Sequence, residues 1–155
     1  MDLFVSKYFY NIDKKGRVSL PSSFRNVLPK LNKNEIILYK SIKSESIEGC
    51  GVERLNEISK RINNLDFFSE DYDDFSTSIF SEIITTKIDR EGRFLIPEEL
   101  KTYANINKEV AFFGKGHFFQ IWEPQAALKN SQISRKRLLS QKKSLRMILT
   151  QQESK

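Results

Sequence analysis

The chain reads Ile12-Asp13-Lys14-Lys15-Gly16-Arg17-Val18-Ser19-Leu20-Pro21 near its start, and 76 positions later it reads Ile88-Asp89-Arg90-Glu91-Gly92-Arg93-Phe94-Leu95-Ile96-Pro97. Five of these ten positions are identical. The register continues beyond the block, because apolar residues at 24, 27 and 28 correspond to apolar residues at 100, 103 and 104, which is helical spacing. The repeat therefore indicates that a unit of strand, turn, strand and helix was duplicated and that its two copies pack together.

Each copy of the block contains a tight turn. An Asp at the first position and a Gly at the fourth are typical of a type I turn, because the carboxylate bonds the backbone ahead of it and Gly accepts a positive φ. Asp13 and Asp89 are accordingly interpreted as caps of the turn backbone. The candidate functional residues lie at the turn tips and just after them: Lys14, Lys15, Gly16 and Arg17 in the first turn, and Arg90 and Arg93 in the second.

The two turns differ in charge. Glu91 separates Arg90 from Gly92 and lowers the positive charge of the second turn, so we expect the first turn to contribute more to binding an anion. Arg17 and Arg93 have an alternative interpretation, since each could be a solvated strand residue or could pair with a nearby carboxylate.

Length and composition limit the possible classes of protein. At 155 residues with 39% apolar residues and twelve Phe, the chain can form one compact body or two small units that share a core. It contains no run of about 20 apolar residues, so we expect a soluble, unexported protein without membrane contact. The single Cys50 fits a reducing compartment, and it is accompanied by only one histidine, His117. We therefore expect no metal, no cofactor and no enzymatic activity on a small-molecule substrate.

Positive charge is concentrated at the end of the chain. The formal net charge is +6, but residues 129–155 contain eight Lys or Arg and one acid, whereas residues 1–128 contain 18 basic and 19 acidic residues. The folded part must therefore rely on local basic patches, such as the two turns, if it binds an anionic partner.

Periodicity predicts the order of the elements. Apolar runs and alternation indicate strands over 4–12, 17–20, 35–40, 83–88, 110–113 and 118–122, with a weaker strand through 47. Helical spacing indicates helices over 21–28 and 52–64, a polar crossover with five acids over 66–74, and a further helical stripe over 72–80. Residues 114–117 are interpreted as a hairpin loop, and the neighbouring aromatic residues as core rather than as a base-stacking surface.

These features resemble the MraZ family of bacterial transcriptional regulators. The two Asp-x-x-Gly-Arg blocks are each followed by an apolar strand, a Pro and a short helix, and the second block leads to Val110-Ala111-Phe112-Phe113-Gly114 and Phe118-Phe119-Gln120-Ile121-Trp122. The resemblance spans about residues 3–125. Gln120 and Thr77 depart from the family pattern, where an acid and an Arg are usual, and these departures bear on packing between chains.

The resemblance implies a mainly β fold with short helices, in which two SpoVT/AbrB-like units form a pseudo-two-fold swapped-hairpin β-barrel. The units would be residues 3–51 and 82–128, joined by a helical connection over 52–81 and followed by a basic tail over 129–155. It also implies a cytoplasmic, nucleoid-associated homo-oligomer in the form of a ring, which binds direct repeats in double-stranded promoter DNA of the division and cell-wall gene cluster. The Asp-x-x-Gly-Arg loops would face that DNA.

One further class of function remains beside DNA binding. A non-catalytic oligomeric scaffold would explain the duplication but would leave the repeated cations without a purpose.

The tail, residues 129–155, could lie on DNA phosphates, an anionic membrane or a neighbouring subunit, or could be a solubilising extension. Drawn as one helix, it places five cations on one arc and four apolar residues on an adjacent arc: Arg135, Lys136, Lys142, Lys143 and Arg146, and Leu138, Leu145, Ile148 and Leu149.

Overall fold

In the computed structural model, residues 2–31, 34–142 and 144–146 are described. The chain divides into two compact units, Met1–Pro124 and Gln125–Lys155. The elements follow in this order: β1 Lys7–Asn11, β2 Arg17–Ser19, α1 Ser22–Leu31, β3 Glu35–Lys40, β4 Ile47–Cys50, α2 Val52–Asn63, α3 Glu70–Ile79, a 3₁₀ turn Phe80–Glu82, β5 Ile84–Lys87, β6 Arg93–Leu95, α4 Glu98–Tyr103, β7 Glu109–Gly114, β8 Phe119–Trp122 and α5 Pro124–Gln141.

The strands form an antiparallel sheet and a separate ribbon. The sheet has six strands in the order β1-β7-β8-β4-β3-β5, and β2 pairs with β6 in the two-stranded ribbon. A mainly antiparallel fold with a few short helices is thereby confirmed. Among the strands that the structure describes, β1 and β5 are the two edges of the sheet, so these pairings give an open sheet and no closed barrel.

The two halves of the chain exchange strands. β1 pairs with β7 of the second half, with Tyr8 opposite Phe112, and β5 pairs with β3 of the first half, with Thr85 opposite Ile37. The counterparts in the two halves are β1 and β5, β3 and β7, and β4 and β8. If each strand is exchanged for its counterpart, the resulting strand order is the observed order read from the opposite edge of the sheet. The duplication seen in the sequence is therefore also a symmetry of the strand topology.

One face of the sheet packs on the ribbon, α1 and α4. The centre of this core is a group of aromatic rings, in which Phe24 lies 5.3 Å from Phe4, 6.2 Å from Phe112 and 5.2 Å from Phe119 between ring centroids. All four rings are buried. Of the aromatic residues beside the hairpin loop that were predicted to be core, Phe112, Phe119 and Trp122 are buried. Phe113 and Phe118 are only partly buried.

The other face of the sheet packs on α2 and α3. Ile37, Tyr39 and Cys50 from the sheet meet Ile62 and Ile79 from the helices. Burial raises the pKa of the Cys50 thiol to about 12, which keeps it protonated and unreactive at neutral pH.

The acidic segment is more ordered than the expected polar crossover. The side chain of Ser69 accepts the backbone N–H of Tyr72 and begins α3. Glu70, Asp71 and Asp73 then lie in its first turn, where negative side chains interact favourably with the helix dipole. These acidic residues therefore form the first turn of α3 instead of an irregular crossover.

Two strand boundaries also differ from expectation. The first strand does not run continuously from residue 4, because Ser6 adopts a positive φ of 73° and β1 begins at Lys7. Phe4 instead forms an isolated bridge with Gly116. Gly114 belongs to β7 rather than to the loop, and a side chain there would meet the backbone of Phe4 at 2.5 Å. The close crossing of the N-terminal segment thus explains the glycine.

The second unit consists largely of α5. This helix ends at Gln141, and Lys142 has a φ of 50°, which ends a helix in the left-handed conformation. The single helical arc expected through residue 149 is therefore wrong, because Arg135 and Arg146 do not lie on one continuous helix. Lys143, Ile148 and Leu149 lie outside the described residues. No helix in the described part of the chain is both long and apolar enough to cross a membrane.

Candidate nucleic-acid interface

The first turn is built around the carboxylate of Asp13. Its Oδ1 accepts the backbone N–H groups of Lys15 at 2.9 Å and Arg17 at 2.8 Å, and its Oδ2 accepts Nε of Arg17 at 2.9 Å. The N–H of Gly16 closes the turn on the Asp13 carbonyl at 3.0 Å, and Gly16 has the positive φ of 84° that the sequence predicted. One carboxylate thus fixes both the turn and the base of the Arg17 side chain.

The second turn repeats this geometry. Oδ1 of Asp89 accepts the backbone N–H groups of Glu91 and Arg93, each at 2.9 Å, and Oδ2 accepts Nε of Arg93 at 3.1 Å. Gly92 closes the turn on Asp89 at 3.0 Å with a φ of 80°. The assignment of Asp13 and Asp89 as backbone caps is confirmed.

The hydrogen bonds that form the caps also lower the pKa of each aspartate. The backbone N–H of Arg17, followed by the Arg17 side chain and the Lys15 N–H, holds the pKa of Asp13 below its usual value despite a smaller opposing effect of burial. The backbone N–H groups of Arg93 and Glu91, together with the Arg93 side chain, lower the pKa of Asp89 in the same way. Both carboxylates are therefore ionised wherever the protein is folded at neutral pH.

Folding brings the two turns onto one ribbon. In the register of β2 and β6, Arg17 lies opposite Leu95, Val18 opposite Phe94, and Ser19 opposite Arg93. Val18 and Phe94 are each 1% exposed, so strand alternation directs the two flanking pairs to the outer face. Arg17 and Arg93 therefore share one outward face, and the turns that precede them lie at opposite ends of the ribbon.

The ribbon also couples the turns through the backbone. The N–H of Leu20 donates to the carbonyl of Gly92 at 2.9 Å, and the N–H of Ile96 donates to the carbonyl of Gly16 at 3.3 Å. The strand that leaves each turn thus ends against the glycine of the other turn. The two turns are thus joined by reciprocal backbone hydrogen bonds.

The cations of the two turns are not equally available. Arg17 pairs with Asp13 through Nε, whereas Arg93 pairs with Asp89 through Nε and with Glu91 through Nη2 at 2.7 Å. The exposed cations at the tips have no ion pair with any residue that the structure describes: Lys14, Lys15 and Arg90. The first turn therefore presents more uncompensated positive charge than the second.

The structure adds three cations that were not predicted from the sequence. Arg25 of α1 lines a cleft of about 410 Å³ beside the second turn, and its Nη1 donates to the Leu20 carbonyl at 3.0 Å. Lys101 of α4 lines a cleft of about 500 Å³ beside the first turn, together with Lys108. A signal was present, because Arg25 and Lys101 are 76 positions apart and thus occupy equivalent places in the repeat.

The glycine of each turn lies against a side chain of the opposite half. A side chain added at Gly92 would lie 2.6 Å from Cζ of Arg25, whereas one added at Gly16 would lie 3.2 Å from Cδ1 of Leu95. Each turn is therefore backed by a residue from the other repeat, a guanidinium in one case and an apolar methyl group in the other.

These observations define a class of protein: an antiparallel β fold built from a duplicated unit, with exchanged strands and two basic turns on one ribbon. Residues 79–150 match the family model described as "MraZ protein, putative antitoxin-like". The chain is 39% identical over 146 residues to the transcriptional regulator MraZ of Rickettsia akari (strain Hartford), covering 94% of this chain and 98% of that protein. The chain belongs to the MraZ family.

Other relatives agree with this assignment. The transcriptional regulator MraZ of Rickettsia bellii (strain OSU 85-389) is 45% identical over 126 residues, covering 81% of this chain and 84% of that one. The corresponding protein of Rickettsia felis is 42% identical over 125 residues with the same coverage. Among solved structures, PHS018 from Pyrococcus horikoshii matches with a TM-score of 0.32 and 14% identity over 76% of this chain and 96% of that one, too low a similarity to add to the assignment.

Proposed function

We propose that this protein is a sequence-specific DNA-binding transcriptional regulator whose β2–β6 ribbon is the reading surface. The observation that carries the proposal is the placement of Arg17 and Arg93 on one exposed face, each oriented by an aspartate of its own turn. Oriented arginines suit recognition of guanine, which presents two acceptors in the major groove. The relatives named as transcriptional regulators support the same function.

The dimensions of the ribbon suit a DNA groove. Each strand has three residues, a length of about 10 Å at about 3.3 Å per residue, and the major groove is about 12 Å wide and admits a two-stranded ribbon. In this arrangement Arg17 and Arg93 contact base edges. Lys14, Lys15 and Arg90 contact phosphates on either side, with Gly16 allowing close approach of the backbone.

The two halves are copies of one unit in this proposal. Residues 3–51 and 82–128 are two SpoVT/AbrB-like units, joined by a helical connection over 52–81 and followed by the basic tail over 129–155. In this proposal the ribbon packs over the open sheet, so that the two together enclose the core as a pseudo-two-fold swapped-hairpin barrel although the six-stranded sheet itself is not closed. The strand order that maps onto itself supports this division.

Affinity comes from several chains together. The first 128 residues carry 18 basic and 19 acidic residues, so one chain makes few phosphate contacts. A cytoplasmic, nucleoid-associated homo-oligomer that engages successive direct repeats gains affinity through effective concentration. We propose that these repeats lie in the promoter of the division and cell-wall gene cluster.

The test is fluorescence anisotropy of the full chain with DNA from upstream of its own gene and with a scrambled duplex, at two salt concentrations. The expected result is tighter binding to the upstream DNA and a loss of affinity at higher salt, since each phosphate contact contributes about 0.9 to the slope of log K against log salt. Equal affinity for both duplexes at each salt concentration would refute sequence-specific binding.

A further inference from the structure

A second concave site lies on the side of the sheet away from the ribbon. It is a cleft of about 460 Å³ between the outer sheet face and helices α2 and α3, a volume within the range of about 300 to 1,000 Å³ usual for small-molecule sites. Its walls are largely apolar, with Ile58, Ile62 and Leu65 on the α2 side and Ile79 on the α3 side. Two apolar residues at the cleft remain substantially in solvent, Ile42 at 49% and Phe75 at 37% exposure.

Positive charge surrounds this apolar cleft. Four of the described lining residues are basic, namely Lys43, Arg54, Arg61 and Lys115, and Glu48 is the only acid among them. The Glu48 carboxylate is already used by hydroxyl donors, because Oε1 accepts the Tyr39 hydroxyl and Oε2 accepts the Ser41 hydroxyl, both at 2.9 Å. These neutral donors leave the negative charge of Glu48 in place, but four basic residues against one acid still give the described lining of the cleft an excess of positive charge.

Arg54 has hydrogen-bonding capacity to spare. Its guanidinium lies over the ring of Phe118, 5.1 Å from the centroid, and its Nη1 pairs with Glu57 at 3.3 Å. Its Nε is buried and has no hydrogen-bond partner among the described residues. Part of the side chain nevertheless remains accessible, at 20% exposure, and a guanidinium carries five N–H donors, so an anionic group in the cleft would accept from its accessible N–H groups.

We propose that this cleft binds a soluble small molecule with an apolar body and one anionic group, such as a carboxylate, with Arg54 as the anchor of the charged end. The apolar body lies against Ile58 and Ile62, and the exposed cations Arg61 and Lys43 add attraction at the rim. The site is separate from the ribbon, so it provides a place for an effector to act without competing for the residues proposed to bind DNA.

The chain contains a natural reporter of occupancy. Trp122 is the only tryptophan of the sequence, and its indole N–H donates to Oε1 of Gln120 at 2.9 Å. Gln120 lines the cleft. A ligand that contacts Gln120 is expected to change the emission of Trp122.

The experiment titrates the full-length protein with decanoate while Trp122 emission is recorded, and repeats the titration by calorimetry. Decanol and decylamine serve as probes with the same chain length and without the negative charge. Saturable binding of one decanoate per chain, with much weaker binding of decanol and decylamine, is the expected result. Equal binding of decanoate and decanol would mean unspecific apolar adsorption and would overturn the proposal.

Variants locate the site. Arg54→Met removes the guanidinium but keeps an unbranched side chain of similar length, and it is expected to weaken decanoate binding about tenfold or more, the loss usual for a hydrogen bond to a charged group. Arg135→Met removes an equivalent charge from exposed α5 and should leave binding unchanged. If Arg54→Met does not fold, the double variant Lys43→Met/Arg61→Met, at rim positions, should still weaken binding.

Two outcomes contradict the proposal. One is unchanged decanoate affinity in both the Arg54→Met and the Lys43→Met/Arg61→Met proteins. The other is that the unsubstituted protein does not bind decanoate and that Arg54→Met changes the oligomeric size measured by light scattering. That result would assign the cleft to contact between copies of the chain. DNA binding is measured separately, so either result is independent of the proposed reading surface.

Discussion

The backbone N–H of Leu20 donates to the carbonyl of Gly92 across 2.9 Å, although 72 positions separate the two residues. Its counterpart joins Ile96 to Gly16 at 3.3 Å. Each basic turn is therefore held by the strand that leaves the other, and the two turns form one surface.

Arg17 and Arg93 should contribute unequally to DNA binding. Arg17→Ala is expected to weaken binding to the upstream DNA by about 1 to 3 kcal/mol and to relax preference at one base position. Arg93→Ala should cost less, because Asp89 and Glu91 already occupy two of its nitrogens. Anisotropy with matched and scrambled duplexes measures both effects, and a larger loss for Arg93→Ala would contradict this order.

Glu91→Gln should strengthen DNA binding. The change removes the carboxylate that pairs with Nη2 of Arg93 at 2.7 Å, so the net charge of the second turn becomes more positive by one unit. The slope of log K against log salt should steepen by up to about 0.9. Glu57→Gln makes the same charge change on α2 and is the control, and an identical gain in both variants would show that only net charge matters.

Alanine at the two turn glycines should destabilise the fold to different extents. Gly16→Ala places a side chain in the left-handed region, at a cost of about 1 to 2 kcal/mol. Gly92→Ala adds a collision with Arg25, which must then give up its hydrogen bond to Leu20, worth about 1 kcal/mol more. Urea unfolding measures both.

The matched control for the Gly92 comparison is an Arg25→Ala background. Without the guanidinium, the additional cost of Gly92→Ala should disappear and the two glycine substitutions should become equal in free energy of unfolding. A persistent difference in that background would mean that Arg25 is not its cause.

The turn aspartates should make stability depend on acidity. Because the folded pKa of Asp13 and of Asp89 lies below the ordinary 3.8, their contribution is complete above pH 3.8 and is lost as pH falls from there through the folded pKa. Asp13→Asn/Asp89→Asn should lower the free energy of unfolding at pH 7 and reduce its loss between neutral and acidic pH. Urea unfolding over a pH series measures this, and parallel curves for both proteins would contradict the prediction.

The tail should add affinity without adding specificity. A protein ending at Leu128 lacks seven units of net positive charge, the balance of eight basic residues and one acid. It is expected to bind matched and scrambled duplexes more weakly by the same factor, with the larger loss at low salt. Unchanged affinity at unchanged oligomeric size would make the tail a solubilising extension, and a smaller oligomer would place it between subunits.

Local features of the fold were accessible from the sequence. The turn, its aspartate cap and the positive φ of Gly16 involve residues within four positions of one another, so composition and spacing predict them. The bounds of β3, Glu35–Lys40, and nearly those of α2, Val52–Asn63, followed for the same reason. The repeat also predicted that whatever one turn presents is presented twice.

Tertiary structure alone decided how those parts are combined. The sequence predicted a strand on each side of the first turn, but β1 pairs with β7 and β2 pairs with β6. Alternation of apolar and polar residues shows which face of a strand is buried, but it does not show which strand pairs with it, and the strands of the two repeats are similar. The contact of Arg25 with the Gly92 turn has the same origin. The sequence determined which residues form each basic turn, and long-range strand exchange, driven by burial of a shared core, decided that both turns face one side of a single ribbon.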